Sequence, residues 1–248
     1  MATGTDSRPI WAIPPPAERK PRYTRSQIAE TALRIADQEG FDAVTMKRIA
    51  AELGAATMTV YYYVRNKNDI LALMHDAIVG DLLIPDGELP ADWRDAIAVV
   101  ARRTRQVLIA HPWSMSSLTQ AQMGPNAMRH MEQSLAAVAG TGLPAQARLE
   151  IIVTVDDLVF GNVLRSVESL TRAAAAAANP DLVTAGMEYG LALLEAGDFP
   201  QLTAMYTESI RQADQPTGPP MTEAALASEF ERGLNSLLDG IAARMNVT

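Results

Sequence analysis

The stretch TMTVYYYVRNKND, residues 57–69, constrains this chain more than any other, because it sets three of the six tyrosines side by side. Successive residues of a helix point about 100° apart, so three neighbours cannot all face one core. With Val60 at 0°, Val64 falls at about 40°, and these two β-branched residues mark an inward face. Tyr62 then lies at about 200°, with Met58 at about 160° and Thr59 at about 260° beside it. Tyr61 and Tyr63 sit on the flanks, placed either to reach outward or to pack on neighbouring helices. An outward row of phenol, threonine and methionine suits duplex DNA: hydroxyls bond phosphates and base edges, and methyl groups meet the thymine methyl.

The punctuation upstream supports this placement. Thr24 with Gln27 three residues on forms a capping box, with Tyr23 able to staple against Ile28. Ile28, Ala29, Ala32, Leu33 and Ala36 follow at helical spacing until Gly40, which predicts a helix over 25–39. Thr45 caps a second helix over 46–53, with Ile49, Ala50 and Leu53 as its apolar face and Gly54 as its end. A third helix is predicted over 57–64, and Asn66 with Asp69 opens a fourth over about 67–80. Two short helices separated by a glycine-containing turn form a helix-turn-helix, whose second helix enters the major groove.

Composition bounds the class. With 248 residues and 48% hydrophobic content the chain can bury a substantial core, and no apolar run is long enough to span a bilayer. Residues 1–22 carry five prolines where a secretory leader would be apolar, so they read as a flexible basic arm whose Arg19, Lys20 and Arg22 reach toward phosphates or stay solvated. A cytoplasmic protein is expected. The absence of cysteine excludes disulfides and thiolate metal sites. The formal charge of −8 divides unevenly: residues 19–68 hold nine Lys/Arg against five Asp/Glu, a basic module on an acidic body.

The segment TMKRIAAELGAATMTVYYYVRNKNDIL, residues 45–71, resembles the DNA-binding motif of the tetracycline-repressor (TetR) family of regulators. Leu53-Gly54, Thr59-Val60-Tyr61-Tyr62-Tyr63-Val64 and Lys67 match that family's pattern in order and spacing. The resemblance implies operator contacts from Lys47, Thr57, Met58, Thr59, Tyr61, Tyr62 and Tyr63, and a phosphate contact from Lys67 at a helix N-terminus. Met46 departs from the hydroxyl residue of the tetracycline-binding member. The implied architecture is all-α: a three-helix DNA-binding domain over 23–68, joined by the connecting helix to a larger ligand-binding and dimerisation domain over 69–248.

The remainder is rich in alanine, leucine and methionine and poor in strand-like runs. EFERGLNSLLDGIAARM and VDDLVFGNVLRS resemble the paired dimerisation helices of the same family. Phe230, Leu234, Leu237, Leu238 and Ile241 form one stripe, with Gly161 and Gly233 permitting close approach; this is a homodimer seam or, alternatively, intramolecular core. Trp113, Met115, Leu118, Met123, Met128 and Met131 surround Pro112 and the Gly124-Pro125 break, a set suited to a pocket for an apolar or aromatic molecule or to plain core. Asp156 and Phe160 are further candidates for that pocket. Where the tetracycline-binding member holds its metal-linked glutamate, Arg165 stands, which disfavours a tetracycline–metal ligand. His75, His111 and His130 have no second ligand at helical spacing, so neither a metal nor another cofactor is expected. No nucleophile elbow, phosphate loop or dinucleotide fingerprint occurs. The expected function is a dimeric, ligand-released repressor acting on a palindromic duplex operator. The alternative is a helical small-molecule-binding or enzymatic protein whose helix-turn-helix mediates protein contacts.

Overall fold

The structure, a computed structural model, describes residues 8–14, 22–117, 123–212 and 222–246. These residues form eleven α-helices and no strand. They are α1 Arg25–Glu39, α2 Met46–Glu52, α3 Thr57–Tyr63, α4 Lys67–Leu82, α5 Trp93–Ala110, the single turn α6 Ser114–Ser117, α7 Pro125–Ala137, α8 Ala145–Ala178, α9 Pro180–Glu195, α10 Pro200–Gln212 and α11 Glu223–Met245. The first four begin at the expected residues and end within about two of the expected positions.

Local chemistry explains these starts and stops. Thr24 Oγ1 accepts from the Gln27 amide while Gln27 Oε1 accepts from the Thr24 amide, so both halves of the capping box are present. Gly40 at φ +88° ends α1, a backbone state that side-chain-bearing residues seldom adopt. Thr45 caps α2 through the Arg48 amide, and Asn66 caps α4 through the Asp69 amide.

The chain divides into two compact units, residues 1–163 with 234–248, and residues 164–233. The boundary expected at residue 69 is not where packing divides the chain. The reason is α4, which packs against α1 on the helix-turn-helix side and against α5 and α7 on the other. It buries Ile70, Leu71, Ala72, Leu73, Met74 and Ile78, so its apolar surface runs round the helix and is covered from several directions. Asp76, also buried, accepts from the Asn126 and Ala127 amides, supplying α7 with the cap that Gly124 lacks. A side chain at Gly124 would collide with that carboxylate.

Residues 8–14 depart from the expected flexible arm. Ile10–Ala12 form a 3-10 turn, and Ile10, 1% exposed, lies in one cluster with Ile28, Ile35, Val60, Val64 and Ile70. Arg19 and Lys20 lie outside the described residues.

In the second unit α8 runs out through the alanine run and stops at Ala178, after which Asn179 caps α9 and Pro180 occupies its first position. Arg165 pairs with Glu229 at 2.7 Å. Of the stripe expected to form a dimer seam or intramolecular core, Phe230, Leu234, Leu238 and Ile241 are buried within the single chain. Leu237 is half-buried, and Gly161 faces open space.

Candidate nucleic-acid interface

The recognition helix α3 follows Gly54, whose φ of +64° makes the turn out of α2. It is anchored from beneath by Val60 and Val64, both buried. Above them Met58 is 75%, Tyr62 54% and Tyr61 47% exposed, and Thr57 and Thr59 are half-buried beside them. The central tyrosine of the triplet therefore answers to simple helical geometry: Tyr62 points away from the core.

Tyr63 is the correction on this helix. It is 5% exposed, its hydroxyl accepts from the Tyr23 amide at 3.3 Å, and its ring meets Tyr62 edge-on at 5.5 Å. Tyr23 in turn donates its hydroxyl to the Leu53 carbonyl at 2.9 Å, tying the start of α1 to the end of α2. Tyr63 holds the motif together from inside and is not placed to touch DNA.

Cations border the exposed row. Lys47 is exposed on α2, and Lys67 is exposed at the start of α4, its Nζ 4.6 Å above the centre of the Phe41 ring. Arg65 grips Asp69 with two charge-assisted bonds, Nη2 to Oδ1 at 2.7 Å and Nε to Oδ2 at 2.8 Å. Burial alone would raise the Asp69 carboxyl, but the hydrogen bonds and charge of Arg65 outweigh it and hold Asp69 below the usual range. The junction between α3 and α4 is thereby pinned at the residue just before Asn66, the cap of α4. Arg48 pairs with Glu39 and Glu52 at the exposed end of α2. These pairings were not foreseen from sequence; the Arg65/Asp69 spacing of i and i+4 is the signal that points to them.

Trp113 belongs to this half of the molecule. It stacks on Phe41 at 5.5 Å and 8°, lies 6.1 Å from His75, and donates Nε1–H to Asp37 at 2.8 Å; His111 Nδ1 lies 2.8 Å from the same oxygen. Trp113, expected beside an effector pocket, thus has its ring and hydrogen-bond partners on α1, the turn after it and α4. Met123, Met128 and Met131 are exposed, and Met128 borders a surface groove formed with residues 83–89. Met115, Asp156 and Phe160 are half-buried, and Leu118 lies outside the described residues. Burial, and then the adjacent Asp157, push the Asp156 carboxyl up to about 6.

No helix among the described residues is long and apolar enough to cross a membrane. Residues 28–74 match the family described as bacterial regulatory proteins, tetR family, and residues 85–245 match the tetracyclin repressor-like C-terminal domain. The HTH-type transcriptional repressor DrrR1 of Streptomyces coeruleorubidus is 29% identical over 231 residues, 90% of this chain and 78% of the repressor. An HTH-type transcriptional regulator of Saccharopolyspora erythraea is 33% identical over 165 residues, 66% of this chain and 69% of that protein. Among solved structures, the Streptomyces coelicolor TetR family protein ActR in complex with actinorhodin superposes with a TM-score of 0.66 at 23% identity, covering 90% of this chain and 98% of ActR. The helix-turn-helix geometry, the all-helical body and the two matched segments lead to one assignment: the chain belongs to the tetR family of bacterial regulatory proteins, DNA-binding transcriptional regulators with a tetracycline-repressor-like C-terminal domain.

Proposed function

We propose that the protein is a homodimeric repressor that binds a near-palindromic duplex operator through α3 and is released by a small apolar or aromatic effector. The observation that carries this reading is the exposed row of Met58, Tyr61 and Tyr62 standing on buried Val60, Tyr63 and Val64. Tyr61, Tyr62, Thr57, Thr59 and Met58 meet base edges and sugar-phosphate, while Lys47 and Lys67 meet phosphates. A dimer would set two such helices about 34–36 Å apart on one face of the duplex. Its seam draws on what the chain leaves exposed or half-exposed: Leu149, Val153 and Gly161 on α8, with Leu237 and Gly240 on α11.

The effector reading is supported by the actinorhodin complex of ActR, and the repressor reading by DrrR1. Two sites compete for it. One is the half-buried set Met115, Asp156 and Phe160. The other is an apolar cavity of about 480 Å³ lined by Met187, Leu191, Leu194, Phe199, Leu202 and Met205, a volume within the range of small-molecule sites.

Fluorescence anisotropy with duplexes from upstream of the protein's own gene, at two salt concentrations, tests the regulator. Selective binding that weakens with salt through counterion release is the expected result, and equal affinity for unrelated duplexes would sink the reading. Screening planar aromatic compounds for release of that duplex then tests the effector; Phe160→Ala and Phe199→Ala separate the two sites by which one abolishes the response.

A further inference from the structure

Residues 8–14, RPIWAIP, set four apolar residues, Ile10 to Ile13, between Pro9 and Pro14, with Arg8 ahead of them. Proline fixes φ and lacks an amide proton, so a short tight turn is the structure such a segment can close. Its own bonds are Ala12 N–H to the Pro9 carbonyl at 2.9 Å and Ile13 N–H to the Ile10 carbonyl at 3.3 Å. Two bonds do not hold seven residues in place by themselves. What holds them is Ile10 sunk in the helix-turn-helix core, with Trp11 packed at its edge.

Two arginines complete the attachment. Arg25 Nη1 donates to the carbonyls of Ile10 at 2.9 Å and Ile13 at 2.8 Å, while its Nε donates to the carbonyl of Tyr63 at 3.2 Å. One rigid guanidinium thus joins this segment to the last residue of the recognition helix. Arg65, while gripping Asp69, also donates Nη2 to the Arg8 carbonyl at 3.0 Å. Between the segment and α3 lies a cavity of about 180 Å³ bordered by Ile10, Ile13, Arg25, Tyr61, Tyr62 and Arg65. The segment therefore walls the side of the helix from which the two exposed tyrosines emerge.

We propose that residues 8–14 are a strap that sets the position of the recognition helix's C-terminal turn, and with it the selectivity of Tyr61 and Tyr62 for operator. This rests on the reading of α3 as the operator-contacting helix. A helix of seven residues has little stability of its own, and its placement is decided by what packs on it. The strap lies outside residues 28–74, the part that matches the family's DNA-binding domain, so this chain's own upstream residues supply the support. Ile10 and Arg25 act as positioning residues. They set where Tyr61 and Tyr62 stand when bases are read, and leave the cationic attraction to any duplex as it was.

The test uses full-length protein with Ile10→Ser, Ile10→Val and Arg25→Lys, measuring the dissociation constant for the operator duplex, the constant for an unrelated duplex at the same salt, and the melting temperature. Ile10→Ser is expected to raise the operator constant by about tenfold or more, a loss of about 1.4 kcal/mol, with less than about a twofold change for the unrelated duplex. Ile10→Val should restore selectivity, since it keeps the apolar anchor. Arg25→Lys, which leaves the core intact but removes the fork, should move the operator constant in the same direction and decides the matter if Ile10→Ser does not fold. Unchanged operator affinity, or a parallel loss for both duplexes with a lowered melting temperature, would overturn the strap while leaving the regulator reading in place. A wild-type protein that selects no duplex would overturn both.

Discussion

Helices α4 and α9 have the same length, sixteen residues, and opposite surroundings. α4 contains Lys67, Asp69, His75, Asp76 and Asp81, yet ten of its residues are buried. α9 carries charge only at Asp181, Glu188 and Glu195, yet none of its residues is buried. Composition alone would have ranked them the other way. What buries α4 is the supply of partners: α1, α5 and α7 pack on it, Arg65 meets Asp69, and the amides of α7 meet Asp76. An apolar helix states a demand for cover, and only its neighbours decide whether the single chain meets it.

Substitutions can break or sharpen this contrast. The largest effect is expected at Met74, fully buried at the middle of α4: Met74→Ala should cost about 2–5 kcal/mol in denaturant unfolding, through lost transfer energy and the cavity left behind. A loss below about 1 kcal/mol would mean that α4 is not the tightly packed centre described here.

Next comes the tyrosine pair. Tyr62→Ala should leave the melting temperature unchanged and weaken operator binding by about 1–3 kcal/mol. Tyr63→Ala should lower stability first, since it empties core and frees the Tyr23 amide. A Tyr62 variant that unfolds, or a Tyr63 variant that is stable but blind to operator, would reverse the assignment of the two rings.

Trp113→Ala should depress both melting temperature and operator affinity, because it removes the stack on Phe41 and the bond to Asp37. If it altered only the effector response, the cluster beside α1 would not be structural.

Asp156 offers a smaller, pH-dependent effect. Its folded value of about 6 lies above its ordinary one, so between about pH 4 and 6 the folded chain holds the proton more firmly than the unfolded chain. Stability from this group is present at low pH and is lost as pH rises through 6. Asp156→Asn should therefore melt higher than wild type at about pH 7.5, by up to about 4 °C, and at the same temperature as wild type at about pH 3.5. An equal gain at both values would point to a cause other than ionisation.

The smallest effect belongs to α9. Leu182 is 68% exposed, so Leu182→Glu should change unfolding free energy by no more than about 0.5 kcal/mol. A large loss would show that α9 is covered after all, and the contrast with α4 would disappear.

Sequence alone determined the four N-terminal helices, their caps and the outward direction of Tyr62, because each depends on residues three or four apart: Thr24 with Gln27, Asn66 with Asp69, Val60 with Val64. The family followed from the same stretch. Tertiary structure decided whatever depends on which surfaces meet. It turned Tyr63 inward to Tyr23, forty residues away, and set Trp113 against Asp37 and Phe41, where periodicity along α5 and α7 carries no information. It also placed the Phe230, Leu234, Leu238 and Ile241 stripe within the chain's own core, and drew Ile10 out of a proline-rich stretch into the helix-turn-helix. Helical period tells which residues share a face, but the free energy of covering that face depends on partners distant in the chain, and these are known only once the chain has folded.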